Sequence, residues 1–252
     1  MVLQAQEGRL TTSAARVLVA TAVPAERDAV VRAFTDGTTA EARLPGTAPL
    51  LRTTRGLDLL AAGVGPALAA AGTATALTAA ALTGRPYTLV VSAGIAGGFQ
   101  PEAPVGSLVV ADEITAADLG AETADGFLPV TELGFGTVSH RPPSSLVRVT
   151  AEVTGARPGG VLTVSTVTGT AARAAELRTR HPHALAEAME GFGVAEAAAA
   201  HGVPVLELRA VSNPVGPRDR AAWRIGDALT ALTEAFGKLA PALESWNPHD
   251  HR

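Results

Sequence analysis

The sequence predicts an α/β fold in which a central twisted sheet, mostly parallel or mixed, forms a three-layer sandwich with helices on both faces. Short apolar runs that are typical of buried strands alternate with helical segments along most of the 252 residues. No linker-like change of composition and no fixed-period repeat divides the chain. We therefore expect a single domain over residues 16–240, preceded by a flexible leader at 1–15 and followed by a tail at 241–252.

Composition excludes several classes of protein. The chain has 20 basic and 24 acidic residues, a formal net charge of −4 and no cysteine. The absence of cysteine excludes disulfides, thiolate nucleophiles and metal sites built on cysteine, and the acidic balance argues against a nucleic-acid partner. The most apolar region, residues 57–82, is interrupted by Asp58, several glycines and Pro66, so we expect no membrane span and no membrane partner. A cytoplasmic protein is the resulting expectation.

Apolar runs, proline and glycine define the expected elements of the first half of the chain. Pro24 suits the first turn of a helix because its φ is fixed, and Arg55-Gly56 suits the turn of a hairpin. The glycine-rich segment 93–98 is expected to be a loop that follows a buried strand. The expected elements are, in chain order, a strand at 16–21, a helix from Pro24, a hairpin at 53–62, an Ala-rich helix at 66–82, a strand at 87–92 and a strand at 105–111.

The second half of the chain begins with an irregular segment and then resumes the alternation. Residues 120–143 are rich in Gly, Thr and Pro, and we expect them to form a loop that could cover a site. The elements expected after it are a strand at 160–167, a helix at 170–179, a strand at 184–189, a helix at 192–201, a strand at 203–211 and a helix at 220–239. In such folds ligands collect at the carboxyl ends of the strands. The site is therefore expected at the loops that begin at Thr21, Ser92, Val167 and Val211, and at the acidic segment 187–190.

Two glutamates and one asparagine at these strand ends can carry chemistry. Glu26, in the first turn of its helix, is either a favourable partner of the helix dipole or a general base that activates a water. Glu190 is either an acid at a helix start or a carboxylate that accepts two hydrogen bonds from a vicinal diol such as a ribose. Asn213, which precedes Pro214, is either part of a turn or an amide that offers one donor and one acceptor to a planar ligand.

Motifs for cofactors and metals are incomplete in this chain. The segment Gly63-Val-Gly65 lacks the third glycine of a dinucleotide fingerprint, since Leu68 occupies that place. There is no lysine-bearing phosphate loop, and the pair His181-Pro-His183 is poorly spaced for a metal site. We therefore expect no cofactor and no metal.

Five segments together resemble the nucleoside phosphorylase/nucleosidase superfamily, and they follow the order of that family on the expected strand ends. They are Ala22-Val-Pro-Ala-Glu26, Ser92 to Gly98, Val105 to Asp112, Ala188-Met-Glu190 and Val211-Ser-Asn213. The resemblance spans residues 17–239. It implies the fold of that superfamily, a nucleoside as the substrate and, as is common among its members, a homo-oligomer.

The same resemblance implies a role for each of these segments. Glu26 activates the attacking water, Glu190 holds the ribose hydroxyls, and Asn213 binds the purine. Further substrate contacts are expected from the glycine-rich segment, from the loop at Val167 and from the neighbours of Glu190. These residues are Ile95, Ala96, Gly97, Val167, Thr168, Gly169, Met189 and Phe192.

The segment from Ser212 to Arg220, followed by Trp223-Arg-Ile225, is most similar to the futalosine hydrolase family. This similarity implies a bacterial enzyme that removes hypoxanthine from futalosine in menaquinone biosynthesis. The benzoate tail of such a substrate needs a cation, for which Arg218, Arg220 and Arg224 are candidates. By default these arginines are instead the solvated start of a helix, with Trp223 packed on the sheet.

Asn213 favours a 6-oxopurine as the leaving base. Relatives that release adenine have an aspartate there, which can protonate N7 and accept from the 6-amino group. The amide of Asn213 can instead donate to O6 while its carbonyl accepts from a protonated N7. Because a mispaired buried group costs about 1–3 kcal/mol, the position predicts hypoxanthine over adenine.

Water is the expected acceptor of the sugar. Phosphorolytic relatives bind phosphate with arginines near the first loop and near the glycine-rich loop, whereas here Arg27 is the one basic residue of the first loop and residues 92–98 contain none. The alternatives are a phosphorylase that acts on inosine-like nucleosides, another purine nucleosidase of the superfamily and, more distantly, a non-catalytic nucleoside-binding protein.

Overall fold

A mixed ten-stranded sheet with helices on both sides forms the centre of the computed structural model, which describes residues 15–34 and 38–247. The strands of this sheet are β1 (Val17–Thr21), β2 (Thr38–Ala42), β3 (Leu50–Thr53), β4 (Leu57–Ala61), β5 (Leu89–Gly98), β6 (Leu108–Ala116), β9 (Ser139–His140), β10 (Arg157–Thr163), β11 (Ala184–Ala188) and β12 (Val205–Pro214). Two further strands, β7 (Gly120–Thr123) and β8 (Gly126–Pro129), form a separate hairpin. The helices are α1 (Pro24–Val31), α2 (Pro66–Leu82), α3 (Ser144–Thr154), α4 (Ala171–Arg180), α5 (Gly191–Ala200) and α6 (Ile225–Glu244), with a short 3₁₀ helix at Arg220–Ala222.

The order of the strands brings several distant segments of the chain to one edge. That order is β11-β10-β6-β12-β5-β1-β4-β3-β2, and β9 pairs with β6. β5 is parallel to both β1 and β12, so the carboxyl ends of these three adjacent strands meet. β12 is antiparallel to β6, and β11 pairs antiparallel with the far end of β5. As a result β5, β12, β6, β10 and β11 close into a small barrel. The predicted α/β fold, with a mixed sheet between helices, is confirmed.

Two apolar cores fix the helices to opposite faces of the sheet. α2 and α5 pack on one face, where Leu77 and Val194 belong to the same buried cluster. α1, α3 and α6 pack on the other face, with Val30, Leu146 and Phe236 in a second cluster. Burial of one such side chain contributes about 1.5–3 kcal/mol. None of the helices in the described part of the chain is long and apolar enough to span a membrane.

The glycine-rich segment 93–98 is the second half of β5, so the prediction of a loop there is wrong. Its backbone pairs with β12 on one side and, at Gly97 and Gly98, with β11 on the other. A Cβ at Gly98 would lie 2.1 Å from the carbonyl oxygen of Ala103. Glycine is therefore needed in this strand because the neighbouring backbone comes too close for a side chain.

The middle and the end of the chain also differ from the prediction. Residues 120–143 are not one irregular loop, because the hairpin of β7 and β8 and the short strand β9 lie within them. α3, which follows, has no counterpart among the predicted elements. The closing helix begins at Ile225 and not at residue 220, because the extended backbone of Trp223 (ψ 130°) separates the 3₁₀ helix from α6.

Smaller differences concern the bounds of single strands. The strand expected at 105–111 is β6, which begins later and continues to Ala116, and the strand expected at 160–167 is β10, which ends at Thr163. The other predicted strands and helices are found within a few residues of their expected bounds. The expected leader, apart from Ala15, and residues 248–252 of the expected tail lie outside the described residues.

Candidate active site

A cavity of about 400 Å³ opens at the edge where β1, β5 and β12 end. Its walls come from the loop after β1, the second half of β5, the end of β11 and the segment after β12. The polar side chains in its lining include Glu26, Glu187, Glu190, Ser212 and Asn213. The apolar side chains include Val23, Val64, Ile95, Val167, Met189, Val215 and Trp223. A mainly apolar cavity with a few convergent polar groups is the usual form of a small-molecule site.

Glu26 reaches this cavity from the first turn of α1 and also holds the loop that precedes the helix. Its Oε2 accepts from the backbone N–H groups of Ala22 (3.0 Å) and Val23 (3.3 Å), and its Oε1 accepts from that of Ile95 (2.9 Å). Burial raises the pKa of Glu26, while the positive charge of Arg209 and the N–H donors oppose this shift. Glu26 therefore caps the helix and, at the same time, presents a buried carboxylate suited to general base catalysis.

A buried arginine that sequence inspection missed lies behind the carboxylates. Arg209, on β12, is 1% exposed. Its Nε donates to Glu207 (2.8 Å), its Nη2 donates to the hydroxyl of Ser92 (3.1 Å), and its Nη1 lies 3.4 Å from Oε2 of Glu190. Glu207 and Arg209 are two residues apart in an otherwise apolar strand and so share one face of it. That spacing of two charges is the pattern from which the network could have been predicted.

Gly94 lets Glu26 and Arg209 come close to each other. A Cβ at this position would lie 2.6 Å from both Oε1 of Glu26 and Nη1 of Arg209. Any larger residue would therefore push the carboxylate and the guanidinium apart. The glycine keeps the arginine near enough to oppose the rise in the pKa of Glu26 that burial causes.

Glu190 lies where β11 ends and α5 begins. Its Oε1 accepts from the backbone N–H of Gly65 (3.3 Å) and its Oε2 from that of Met189 (3.3 Å), in addition to the contact with Arg209. A carboxylate has about four lone-pair sites in total. The side chain is therefore held in place while it keeps acceptor capacity for a ligand in the cavity.

Asn213 follows an irregularity in β12, and a neighbouring hydroxyl orients its amide. The register of β12 on β5 shifts between Val211 and Asn213. The hydroxyl of Ser212 donates to Oδ1 of Asn213 (2.8 Å), and Nδ2 donates to the carbonyl of Pro214 (3.0 Å). Because each end of the amide can make two hydrogen bonds, one donor and one acceptor position remain for a ligand.

Glu187 holds the loop that follows β10. Its Oε1 accepts from the backbone N–H of Thr168 (2.8 Å), and its Oε2 accepts from the hydroxyl of the same residue. Burial raises the pKa of Glu187, and the two hydrogen bonds from Thr168 oppose that shift. The backbone N–H of Thr168 is therefore used within the protein and is not available to a ligand. The sequence drew attention to the acidic segment 187–190 but gave Glu187 no role of its own.

Comparison with known proteins assigns the chain to a family. The family model described as Phosphorylase superfamily matches residues 16–243. The futalosine hydrolase of Streptomyces coelicolor is 80% identical over 234 residues, which cover 93% of this chain and 99% of that protein. The chain belongs to the futalosine hydrolase family of the phosphorylase superfamily. The futalosine hydrolase of Acidothermus cellulolyticus is 49% identical over 230 residues, which cover 89% of this chain and 90% of that protein.

Solved structures show the same fold for this member of the futalosine hydrolase family. The 5'-methylthioadenosine/S-adenosylhomocysteine nucleosidase of Colwellia psychrerythraea has a TM-score of 0.79 at 19% identity and covers 93% of this chain and 98% of its own. The futalosine hydrolase of Helicobacter pylori has a TM-score of 0.76 at 17% identity and covers 90% of this chain and 98% of its own. The fold expected from the five sequence segments is thus confirmed, and the match of the family model over residues 16–243 confirms the superfamily.

Some of the substrate-binding residues expected for this family line the cavity, and others do not. Those that line the cavity are Ile95, Ala96, Gly97, Val167, Thr168, Met189 and Arg218. Gly169 is not part of the lining, although Arg218 lies 3.7 Å from the position of a Cβ there. Phe192 lines a second cavity of about 290 Å³ instead, together with Pro66 and Thr163.

The three candidate arginines for a substrate carboxylate lie in different surroundings. Arg218 lines the cavity, and its guanidinium lies 5.3 Å from the ring centre of Trp223. The guanidinium of Arg220 lies 5.8 Å from the same ring. Arg224 is exposed and pairs with Asp227 (3.0 Å). Trp223 is half-buried and lines the cavity. Among the described residues, no three or more His, Asp or Glu side chains are placed to hold a metal ion.

Proposed function

We propose that this member of the futalosine hydrolase family cleaves the N-glycosidic bond of futalosine with water and releases hypoxanthine and dehypoxanthine futalosine. The observation that carries the proposal is the convergence of Glu26, Glu190 and Asn213 on one cavity, although they come from three separate parts of the chain. The relatives from S. coelicolor and A. cellulolyticus, both named futalosine hydrolase, support the same substrate. The reaction is then a step of menaquinone biosynthesis.

Glu190 stabilises the sugar as the bond to the base loosens. Glycoside hydrolysis generally passes through a state that resembles an oxocarbenium ion, and a carboxylate near the developing positive charge lowers its energy. By accepting hydrogen bonds from the 2′- and 3′-hydroxyls, Glu190 lies close to that charge. Gly65, Met189 and Arg209 keep the carboxylate in place before the substrate binds.

Glu26 positions and deprotonates the attacking water. Three backbone N–H donors fix the orientation of its carboxylate at the cavity wall. The raised pKa of this buried group makes it a better proton acceptor at neutral pH than an exposed glutamate. The proton of the water passes to Glu26 as the new bond to the anomeric carbon forms.

Asn213 stabilises hypoxanthine as it leaves. Its remaining N–H donates to O6, and the remaining lone pair of Oδ1 accepts from N7 once N7 is protonated. An amide does not supply that proton, so the proton comes from water or another group. Ser212 holds the amide in the orientation that this pairing needs.

The cavity offers little to a phosphate dianion. Arg27, the basic residue of the first loop, donates to Asp28 (2.8 Å) and to the carbonyl of Pro49 (3.1 Å). Among the described residues that line the cavity, Arg218 carries the one positive side chain. We assign Arg218 to the carboxylate of the benzoate tail, since an arginine beside an aromatic ring suits a benzoate. Water is then the acceptor of the sugar.

The protein is also proposed to be a cytoplasmic homo-oligomer. Leu68 and Leu82, both on α2, are 59% and 83% exposed, and Val64 beside the cavity is 49% exposed. Large apolar side chains that are exposed in a single chain are available to a protein interface. The cytoplasmic location is an expectation from the family resemblance.

Product analysis tests the proposed function. The protein is incubated with futalosine or with its aminated analogue, and the products are identified by chromatography and mass spectrometry. Futalosine is expected to give equal amounts of hypoxanthine and dehypoxanthine futalosine. The analogue is expected to react about 5- to 150-fold more slowly, because a mispaired buried group costs about 1–3 kcal/mol. No release from futalosine, or faster release from the analogue, would contradict the proposal.

A further inference from the structure

One buried carboxylate in the cavity has no part in the steps assigned to Glu26, Glu190 and Asn213. Glu187, on β11, is 6% exposed and lines the same cavity as Asn213. Its place is fixed by the pairing of β11 with both β10 and β5. Burial of a carboxylate is costly unless polar partners compensate for it. A ligand in the cavity can be one of those partners.

Glu187 and Asn213 lie on opposite sides of one residue in the cavity wall. Both are register partners of Gly97, Glu187 through the antiparallel pairing of β11 and Asn213 through the parallel pairing of β12. With neighbouring strands about 4.8 Å apart, the two Cα atoms are roughly 10 Å apart. Gly97 places no side chain between them. In a 6-oxopurine N1 is bonded to the carbon that bears O6, so a purine whose O6 and N7 bind Asn213 presents N1 on the adjoining edge, where Glu187 can reach it from the other side of Gly97.

Thr168 fixes one oxygen of Glu187 as a hydrogen-bond acceptor. Its backbone N–H donates to Oε1 at 2.8 Å, while its hydroxyl contacts Oε2. An oxygen that accepts from a backbone N–H does not carry the proton of a carboxyl group. Oε1 thus has a remaining lone pair for a ligand in either protonation state. The loop after β10 therefore presents an acceptor to the cavity.

We propose that Oε1 of Glu187 accepts the N1–H of the departing 6-oxopurine, beside the hydrogen bonds that Asn213 makes to O6 and N7. The proposal rests on the proposed function, since it takes hypoxanthine as the leaving base. In hypoxanthine N1 carries a hydrogen, whereas in adenine N1 is itself an acceptor. Glu187 thus makes a hydrogen bond with hypoxanthine, whereas in adenine two acceptors, Oε1 and N1, face each other and weaken binding. Glu187 therefore determines specificity together with Asn213.

Binding of the free bases, measured by calorimetry, tests this assignment without turnover. The unmodified protein is expected to bind hypoxanthine at least about tenfold more tightly than adenine. Glu187→Met removes the acceptor and keeps a similar volume. It is expected to weaken hypoxanthine binding by about 10- to 100-fold, the range for one hydrogen bond to a charged group, without weakening adenine binding.

Two further variants serve as controls for Glu187→Met. Glu187→Gln keeps a carbonyl oxygen that the N–H of Thr168 can hold, so it is expected to restore most of the preference for hypoxanthine. Glu234→Gln, on the exposed surface of α6, makes the same chemical change away from the cavity, so both affinities are expected to match those of the unmodified protein. Equal weakening of both bases in Glu187→Met, with no restored preference in Glu187→Gln, would overturn the proposal.

The unmodified protein supplies a test that does not depend on the folding of any variant. If it binds adenine as tightly as hypoxanthine, the assignment of Glu187 is overturned. If the bases bind with the expected preference but futalosine is not cleaved, the proposed function fails while the role of Glu187 in base selection is supported. The two failures are therefore distinguishable.

Discussion

Arg209 connects the carboxylates that surround the cavity. Its guanidinium contacts Glu207 and Glu190, and it approaches Glu26 through the space that Gly94 leaves free. Removal of one partner from a buried ion pair typically costs about 3–5 kcal/mol, because the other charge is left uncompensated. This network therefore resists rearrangement, and the carboxylates of Glu26 and Glu190 that line the cavity are positioned before a ligand binds.

Glu26→Gln is expected to lower kcat by about 10²- to 10⁴-fold, the usual contribution of a general base, while KM is largely kept. The base must be unprotonated, and burial raises the pKa of Glu26 above the ordinary value. The activity of the unmodified protein is therefore expected to fall as the pH drops through this raised pKa, at a higher pH than an exposed glutamate would titrate. The pH profile of kcat measures both effects.

The matched control for this substitution is Glu234→Gln, on the exposed surface of α6. It makes the same chemical change away from the cavity, and both its turnover and its pH profile are expected to match those of the unmodified protein. Turnover that is unchanged in Glu26→Gln would rule out the role of Glu26 as the base.

The site residues that could be predicted from the sequence are those at which a strand end coincides with a family motif. Glu26, Glu190 and Asn213 are such residues, and each lines the cavity. Arg209 and Glu207 were missed because they lie inside a buried strand, where a charge is explained only by partners from other strands. The same holds for Glu187, whose contact with Thr168 depends on the packing of two separate segments.

Among the secondary-structure elements, α2 comes into close contact with its neighbours at two glycines. A Cβ at Gly193 of α5 would lie 2.1 Å from the carbonyl oxygen of Pro66 at the start of α2, and one at Gly72 of α2 would lie 2.6 Å from that of Ala62, which follows β4. The first contact brings the start of α2 to the start of α5, where the N–H of Gly65 reaches Glu190. The packing of these elements thus positions the carboxylate assigned to the ribose.

Gly193→Ala is expected to destabilise the protein by about 1–3 kcal/mol, the usual cost of overpacking, and to lower kcat/KM. The added methyl group pushes α2 away from α5 and weakens the contact of Gly65 with Glu190. Urea denaturation and steady-state kinetics measure the two effects. In Gly237→Ala, on the exposed surface of α6, the new Cβ meets nothing within 4 Å. This control is expected to gain about 0.5–1 kcal/mol and keep its activity, whereas full stability in Gly193→Ala would refute the close contact.

The sequence predicted those helices and strands that are determined mainly by their own residues and not by packing with distant segments. The helix that Pro66 opens was predicted and found over the same residues, 66–82. The glycines of 93–98 favour a turn by their own preference, but β11 and β12 pair with them on both sides and make them a strand. α3 has a sequence rich in Ser, Thr and Val with weak helix preference. It is stabilised by packing of Leu146 and Val147 on the core beneath α6.

For the molecule as a whole, closure of the barrel creates the site. The pairing of β11 with the far end of β5 places Glu187 and Glu190 beside the end of β12, where Asn213 lies. The alternation of strands and helices predicted the α/β class and the strand ends as the place of the site. An antiparallel contact between two distant strands leaves no trace in local periodicity, so the barrel could not be predicted in the same way.

The rate at which hypoxanthine is released from futalosine, with and without phosphate, tests hydrolysis most directly. Arg27 is occupied by Asp28 and Pro49, so the cavity has no arginine in the first loop that is free for phosphate. We predict the same rate in phosphate-free buffer as in phosphate buffer, with the free sugar as the second product. Release that starts only after phosphate is added, with a sugar phosphate as the product, would contradict hydrolysis.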